Sequence, residues 1–165
     1  MRWTGLTIML LILVGCAATQ SGMKREKRRP FNPAEYKFLQ LSGDAEIEGQ
    51  IMLTKPNGKK EFGVDCEVTL NPATSYSEEF YVKTVQNGIP IEEPDLRALK
   101  YIRKTVTNDS GKFVFQRVGE GKYYLYAPVE IEIPRGDGKT RKFNTYVHKT
   151  IYLHSGEKLK VTLTR

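Results

Sequence analysis

Histidine and carboxylate side chains are the residues of this sequence that could carry out chemistry, but their spacing matches neither a metal site nor a catalytic site. The two histidines, His148 and His154, are six residues apart, which corresponds to about 20 Å along an extended strand. Such a pair cannot share a metal ion, so we predict no metal site. Asp109 and Asp137 stand in glycine-containing turns, but neither turn has the carboxylate spacing of a calcium loop. Since the motifs G-x-S-x-G, H-E-x-x-H and C-x-x-C are also absent, we predict no catalytic residue, no cofactor and no enzymatic activity.

The cysteine at position 66 belongs to a stretch in which apolar and polar side chains alternate. Residues 64–70 place Cys66 on the same parity as valines and a leucine, which predicts a strand with the thiol facing the core. A thiol among apolar neighbours is typically inert. We therefore expect Cys66 to be buried and unpaired, without a disulfide.

The cysteine at position 16 follows a segment typical of a secretory signal. Arg2 precedes an apolar run over residues 6–14 that is too short to cross a bilayer. The motif L-V-G-C, which ends at Cys16, resembles the bacterial lipoprotein box; this implies that residues 1–15 are removed and that Cys16 is lipidated. Two or more acyl chains suffice for stable anchoring. Ala17 stands where an aspartate would favour inner-membrane retention, so the resemblance favours the outer membrane, facing the periplasm, over the inner membrane or the cell surface.

The positive charge of the chain is concentrated close to this cysteine. The formal net charge is +7, and residues 24–29 contain five basic side chains and one acidic side chain. We interpret residues 16–37 as a flexible basic tether, which either lies against anionic lipid headgroups or is solvated. Nucleic acid is excluded as a partner because the secretion signal removes the chain from the cytoplasm and no predicted strand carries a basic stripe.

The stretch over residues 105–125, T-V-T-N-D-S-G-K-F-V-F-Q-R-V-G-E-G-K-Y-Y-L, predicts two strands and the turns that place them. Phe113 and Phe115 fall on one face, and after a Gly-Glu-Gly turn Tyr123 and Leu125 again lie two apart. Alternation of this kind, with turn residues every eight to twelve positions, is typical of a β-sandwich.

Within that stretch the pattern T-x-D-x-G-x-F-x-F-x-x-V-x-x-G-x-Y-x-L resembles the carboxypeptidase regulatory-like family, which is related to Cna B-type domains. The resemblance implies an all-β fold, a seven-stranded transthyretin-like (prealbumin-like) sandwich over residues 38–165. It implies no peptidase activity, because the sequence contains no peptidase domain or zinc motif. The related Cna-type sandwiches carry a Lys to Asn crosslink, and we expect none here because the last predicted strand lacks asparagine.

Residues 71–99 interrupt the strand pattern, and compact domains rarely contain so long a connection without structure or function. Ser75 or Ser77 is a suitable start for a short helix, and Asn87 and Gly88 are a suitable end. Two interpretations stay open, a binding loop or an insertion that covers one edge of the sandwich. The candidates for binding a partner are the apolar side chains of this segment, Tyr76, Phe80, Tyr81, Ile89 and Ile91.

A second set of candidate ligand-binding residues consists of tyrosines on strand positions opposite in parity to the predicted core. Outward tyrosines can stack on sugars or contact peptides, because the ring is apolar and the hydroxyl is polar. Alternatively, they pack against the 71–99 segment or are present because aromatic residues favour strands. These residues are Tyr124, Tyr126, Tyr146 and Tyr152.

Since no catalytic site is visible, function has to be sought in binding. The sequence predicts a non-catalytic, membrane-anchored envelope lipoprotein whose sandwich binds or scaffolds another protein. The alternatives are a carbohydrate-binding module tethered to the membrane, and a structural lipoprotein of a secretion system. A glycan binder should present exposed aromatic rings with polar neighbours, whereas a scaffold should present an apolar edge or loop.

Overall fold

The computed structural model describes residues 24–165, so Cys16 and the predicted signal over residues 1–15 lie outside the described part. Eight strands occur in this part: β1 (Ala45–Thr54), β2 (Lys60–Phe62), β3 (Glu67–Pro72), β4 (Arg103–Val106), β5 (Lys112–Val118), β6 (Gly121–Pro134), β7 (Thr140–Leu153) and β8 (Lys158–Thr164). The helical segments are a 3₁₀ helix (Pro33–Tyr36), α1 (Ser75–Phe80), a π-helix (Tyr81–Gln86) and α2 (Leu96–Leu99). None of these helices is long and apolar enough to cross a membrane.

The strands form two four-stranded sheets. In the first sheet, β1 pairs in parallel with β8 along one side, and on the other side it pairs antiparallel with β5 and then with β2. The second sheet has the order β4-β3-β6-β7, and its pairs are antiparallel. The described chain is therefore an all-β sandwich, as the sequence predicts.

The main hydrophobic core lies between the two sheets and consists of the residues that alternation places inward. Ile47 and Ile51 of β1 are fully buried, and Phe113 and Phe115 of β5 pack edge to face at 6.1 Å between ring centroids. Leu125 of β6 contributes to the core from the second sheet. The inward faces predicted for these three strands are confirmed.

The structure contains eight strands where the sequence analysis expects seven. The additional strand is β2, in which Phe62 lies opposite Met52 of β1. All three of its residues are exposed, so no apolar alternation identifies it in the sequence. Pairing with the end of β1 produces this strand, rather than burial of a side chain.

The segment before β3 also differs from its prediction. Asp65 has a φ of 53°, a left-handed conformation that a continuous strand does not contain. As a result β3 begins at Glu67, and Val64 is exposed instead of facing the core. Cys66 is a free, half-buried thiol that packs against the core, and burial raises its pKa.

Residues 73–99, here called the helical insertion, contain three helical segments. The turn and capping residues predict α1 and the π-helix that follows it, whereas α2 was not predicted. Thr74 caps α1 by accepting a hydrogen bond from the backbone N–H of Ser77, and the Ser77 hydroxyl accepts one from the backbone N–H of Thr74. Such a reciprocal capping box satisfies two donors that a helix start leaves unpaired. The π-helix ends before Gly88, whose φ of +70° suits glycine at a helix terminus.

The described part of the predicted tether is packed against the domain. Residues 24–37, here called the N-terminal strap, run along the helical insertion. The backbone N–H of Glu26 donates to the carbonyl of Pro90, and the carbonyl of Glu26 accepts from the N–H of Glu92, both at 2.9 Å. These backbone bonds hold the strap like a short added strand, which differs from the flexible tether expected over residues 16–37.

Candidate functional site

The helical insertion covers the outer face of the second sheet. The ring of Tyr81 stacks on Tyr124 at 4.3 Å between centroids, and Phe80 packs against Tyr126 at 5.7 Å. Together with Val85, these side chains form a second hydrophobic cluster, separate from the core between the sheets. The sequence leaves open a binding loop or a cover over one edge of the sandwich, and in the structure the insertion covers the outer face of a sheet rather than an edge.

The N-terminal strap closes over the same insertion from outside. The guanidinium of Arg28 lies over the ring of Tyr76 at 4.2 Å and near the ring of Phe80 at 5.6 Å. The backbone N–H of Arg29 donates to the carboxylate of Glu79 at 2.8 Å. Basic residues of the strap thus contact aromatic and acidic residues of the insertion.

The strap also reaches the beginning of α1. The carboxylate of Glu35 accepts hydrogen bonds from the hydroxyl and the backbone N–H of Ser75, at 2.7 and 2.6 Å. These bonds hold the pKa of the Glu35 carboxyl below its usual range, with the hydroxyl as the largest cause. An ionised carboxylate at a helix start is favourable, because it satisfies unpaired N–H groups.

The first set of predicted binding residues lies mostly inside the molecule. Tyr76, Tyr81 and Ile91 are buried, and Phe80 is half-buried. Ile89 is exposed to 38%. The structure thus brings these residues into the contact between the insertion, the strap and the sheet, and it leaves Ile89 at the surface.

The second set of predicted residues is divided by the insertion. Tyr124 and Tyr126 are buried beneath it, and Tyr146 is half-buried at the margin of the same cluster. Tyr152 is exposed to 53% and lies beside His154, with ring centroids 4.9 Å apart. The four tyrosines therefore do not form one exposed face.

An open groove lies between the end of the helical insertion and the β6–β7 hairpin. This edge groove has a volume of about 340 Å³, which is within the size of roughly 300 to 1,000 Å³ typical of small-molecule sites. It crosses β7, the last strand of the second sheet. The residues that matter for its chemistry are Gln86, Asn87, Phe143, Asn144, Tyr146 and Arg165.

Two aromatic rings border the edge groove from the two sides of β7. Phe143 and Tyr146 differ in parity, and successive residues of a strand point to opposite faces. Phe143 is exposed to 45% even though it is a large apolar side chain. An exposed ring in a concave surface provides a flat apolar face on which the C–H face of a sugar can stack.

Polar side chains surround these rings. The Asn87 amide donates to the carbonyl of Val82 at 2.6 Å, which fixes its position, and the Arg165 guanidinium donates to the carbonyl of Tyr146 at 3.4 Å. Among residues 24–165, no side-chain hydrogen bond engages the amide of Asn144, and no carboxylate lines the groove. The arrangement can therefore offer donors and acceptors to the hydroxyls of a ligand.

Burial changes the ionisation of the residues behind the groove. It raises the pKa of Tyr126 to about 12, so this phenol stays neutral. Burial, with a smaller contribution from Arg165, lowers the pKa of His148. Burial thus favours the neutral form of both Tyr126 and His148.

The edge groove is not apparent from the sequence, although one of its lining residues, Tyr146, belongs to the second set of predicted residues. Its residues come from the end of the π-helix, from β7 and from the C-terminal position, and only folding brings Asn87, Phe143 and Arg165 together. Phe143 had the parity of the inward residues of the predicted strand that begins there, so the sequence gave no signal that its ring would be exposed.

Comparison with known proteins gives a structural neighbour and no family. The sequence matches no protein-family profile and no curated protein. Among solved structures, the chain is similar to a proposed carbohydrate-binding protein from Pseudomonas aeruginosa, with a TM-score of 0.72 and 29% identity over 84% of this chain and 99% of that chain. It also aligns with the major pilin subunit of Bacillus cereus, with a TM-score of 0.42 and 12% identity over 74% of this chain and 30% of that one. The first of these similarities supports the β-sandwich.

Proposed function

We propose that this protein is a non-catalytic carbohydrate-binding module and that the edge groove holds the sugar. The observation that carries the proposal is the exposed ring of Phe143 in a groove that also contains the amides of Asn87 and Asn144. Sugar-binding sites combine these features, because a pyranose has an apolar C–H face and a rim of hydroxyls.

The polar lining of the groove favours binding over cleavage. Glycoside hydrolysis generally uses a pair of carboxyl groups on either side of the scissile bond. Among the described residues, the polar side chains that line the groove are amides, threonines, the phenol of Tyr146 and the single guanidinium of Arg165, without aspartate or glutamate. Such side chains exchange hydrogen bonds with hydroxyls but are poor general acids.

The similarity to the proposed carbohydrate-binding protein from Pseudomonas aeruginosa supports the same function. The similarity extends over 84% of this chain, at 29% identity. It is therefore not limited to one part of the sandwich. We infer from the sequence pattern of residues 105–125 that the topology is transthyretin-like, as in the carboxypeptidase regulatory-like family.

We further propose that lipid on Cys16 anchors the protein to the outer membrane, facing the periplasm. The support is the L-V-G-C motif after a short apolar segment. Cys16→Ser is expected to release the protein into the soluble fraction or to leave it unprocessed. Wild-type processing and membrane recovery of this variant would refute the anchor.

Binding of another envelope protein is the second candidate function, and one observation favours it. β7 is the terminal strand of its sheet, and residues 140–144 are exposed. An edge strand offers unpaired backbone groups to which a partner can add a strand. Phe80 and Ile89, the candidate partner-binding residues that retain exposure, lie on the neighbouring insertion.

The test of the proposed function is a glycan array probed with the full chain and with a variant in which Phe143 and Asn144 are replaced by alanine. We expect the wild type to retain a subset of glycans that the variant loses. A variant with Lys139→Ala, at the hairpin turn outside the groove, serves as the matched control. Equal glycan binding by wild type and the double variant would refute the groove as the site.

A further inference from the structure

A second cavity, which shares no lining residue with the edge groove, is lined by basic side chains. It has a volume of about 480 Å³ and lies between the end of α2, β4 and the end of β5. Lys100, Arg103 and Arg117 line it, and no aspartate or glutamate of the described chain does. We call this cavity the basic pocket.

The three cations of the basic pocket differ in their ion pairing from basic residues close to them in sequence. Arg97 and Lys104 form ion pairs with Asp95 and Glu67, each at 2.7 Å. Within residues 24–165, no ion pair includes the three pocket cations. Like charges in one concavity repel one another, so an anion entering the pocket would relieve that repulsion.

Arg103 is held in place without a charged partner. Its Nη1 donates to the carbonyl of Arg117 at 3.2 Å, and its Nη2 donates to the carbonyl of Gln116 at 2.7 Å. The guanidinium also lies 5.8 Å from the ring centre of Phe115. Because a guanidinium has five N–H donors, part of this preorganised fork stays available to a ligand.

The backbone of Arg117 has an unusual conformation at the wall of the same pocket. Its φ is 53°, a region that arginine seldom adopts and that costs conformational energy. The register between β1 and β5 shifts here, between Ala45 and Ile47. Bulges of this kind redirect a side chain relative to the strand, and here the redirected residue lines the basic pocket.

We propose that the basic pocket binds the phosphate group of a small ligand. Three cationic residues that line one cavity match a dianionic phosphate better than a single carboxylate, and Arg103 offers the fork geometry that phosphate oxygens prefer. The cavity is larger than a phosphate ion needs, and Leu41 and Tyr101 supply apolar walls for the group attached to it. The phosphate can belong to a soluble sugar phosphate or to a lipid headgroup.

The test measures binding of inorganic phosphate, glucose 6-phosphate and phosphatidylglycerol vesicles to the full chain, with glucose as the uncharged comparison. We expect Arg117→Asn to weaken glucose 6-phosphate binding about tenfold, since one charge-assisted contact is lost. Asparagine tolerates the positive φ, so this variant should keep the fold. Arg103→Lys, which keeps the charge but loses the fork, should also weaken binding, whereas Arg141→Gln, on β7 outside the pocket, should not.

Binding of glucose 6-phosphate that weakens in both pocket variants and in rising salt would support a site for soluble phosphates. Vesicle binding that is lost in the same variants, without sugar phosphate binding, would support the phosphate site and assign it to a lipid headgroup. The proposal is overturned if no phosphate-bearing probe binds the wild type, or if Arg141→Gln weakens binding as much as Arg117→Asn. None of these results changes the outcome expected from the glycan array, because the edge groove and the basic pocket share no lining residue.

Discussion

The hydroxyl of Tyr81 lies 3.0 Å from Nδ1 of His148, so a polar contact joins the helical insertion to β7 beneath the aromatic cover. The hydroxyl of Thr150 donates to the same Tyr81 oxygen at 3.3 Å. Tyr81 can therefore accept from Thr150 and donate to His148 when Nδ1 carries no proton. The insertion is fixed on the sheet by this hydrogen-bonded chain as well as by ring stacking.

The first prediction follows from the ionisation of His148. Burial, followed by the charge of Arg165, lowers its pKa below the ordinary value of 6.5. Below pH 6.5 the unfolded chain therefore takes up a proton that the folded chain resists, and stability falls until the pH drops below the folded pKa. We expect the midpoint of urea unfolding to decrease from pH 7.5 towards pH 5, and His148→Gln to reduce that decrease.

The control for this prediction is His154→Gln, since His154 is an exposed residue just after β7. This variant should show the same pH dependence as the wild type. An unchanged slope in His148→Gln would contradict the assignment, and the acid sensitivity would then belong to the carboxylates.

The second prediction concerns the N-terminal strap. Arg28→Ala removes the guanidinium that covers the rings of Tyr76 and Phe80, so it should lower the free energy of unfolding by about 1 to 2 kcal/mol. Arg25→Ala removes only an exposed ion pair with Glu93 and should cost less than about 1 kcal/mol. Urea unfolding at low salt measures both, and equal losses would show that the contact of the Arg28 guanidinium with the two rings adds no stability.

The third prediction tests the close approach of β1 to β5. Gly49 lies opposite Phe113, and a Cβ at position 49 would lie 2.0 Å from the ring. Gly49→Ala must displace this core ring, and overpacking typically costs about 1 to 3 kcal/mol. Gly136→Ala is the matched control, because nothing lies within 4 Å of the added atom. A thermal melt of Gly49→Ala that coincides with that of the control would contradict this packing.

The parts of the fold that follow from local chemistry were predictable from the sequence. Alternation identified β1 and the inward faces of β5 and β6, because a strand buried on one face has a period of two. The start of α1 at Ser75 and the end of the π-helix before Asn87 and Gly88 followed from capping residues. In these cases the residues that determine the structure are adjacent in the chain.

The parts that depend on distant contacts were not predictable. Arg28 looked like a solvated charge in a basic run, and only the folded insertion supplies the rings that it covers. Tyr124 and Tyr126 had the parity of outward residues, and packing against residues 71–99 was one of the alternatives for them. The sequence alone could not decide between that packing and an exposed ligand face. The edge groove was missed for the same reason, since Asn87 and Phe143 are far apart in sequence.

Calorimetric titration of a glycan ligand into two single variants tests directly whether the edge groove is the sugar-binding site. Phe143 lines the edge groove, whereas Tyr152 is an exposed ring outside it. We predict that Phe143→Ala weakens glycan binding about tenfold, equivalent to about 1.4 kcal/mol, and that Tyr152→Ala leaves the affinity unchanged. Full affinity in Phe143→Ala together with a loss in Tyr152→Ala would contradict the assignment of the sugar to the edge groove and place it on the exposed tyrosine of β7.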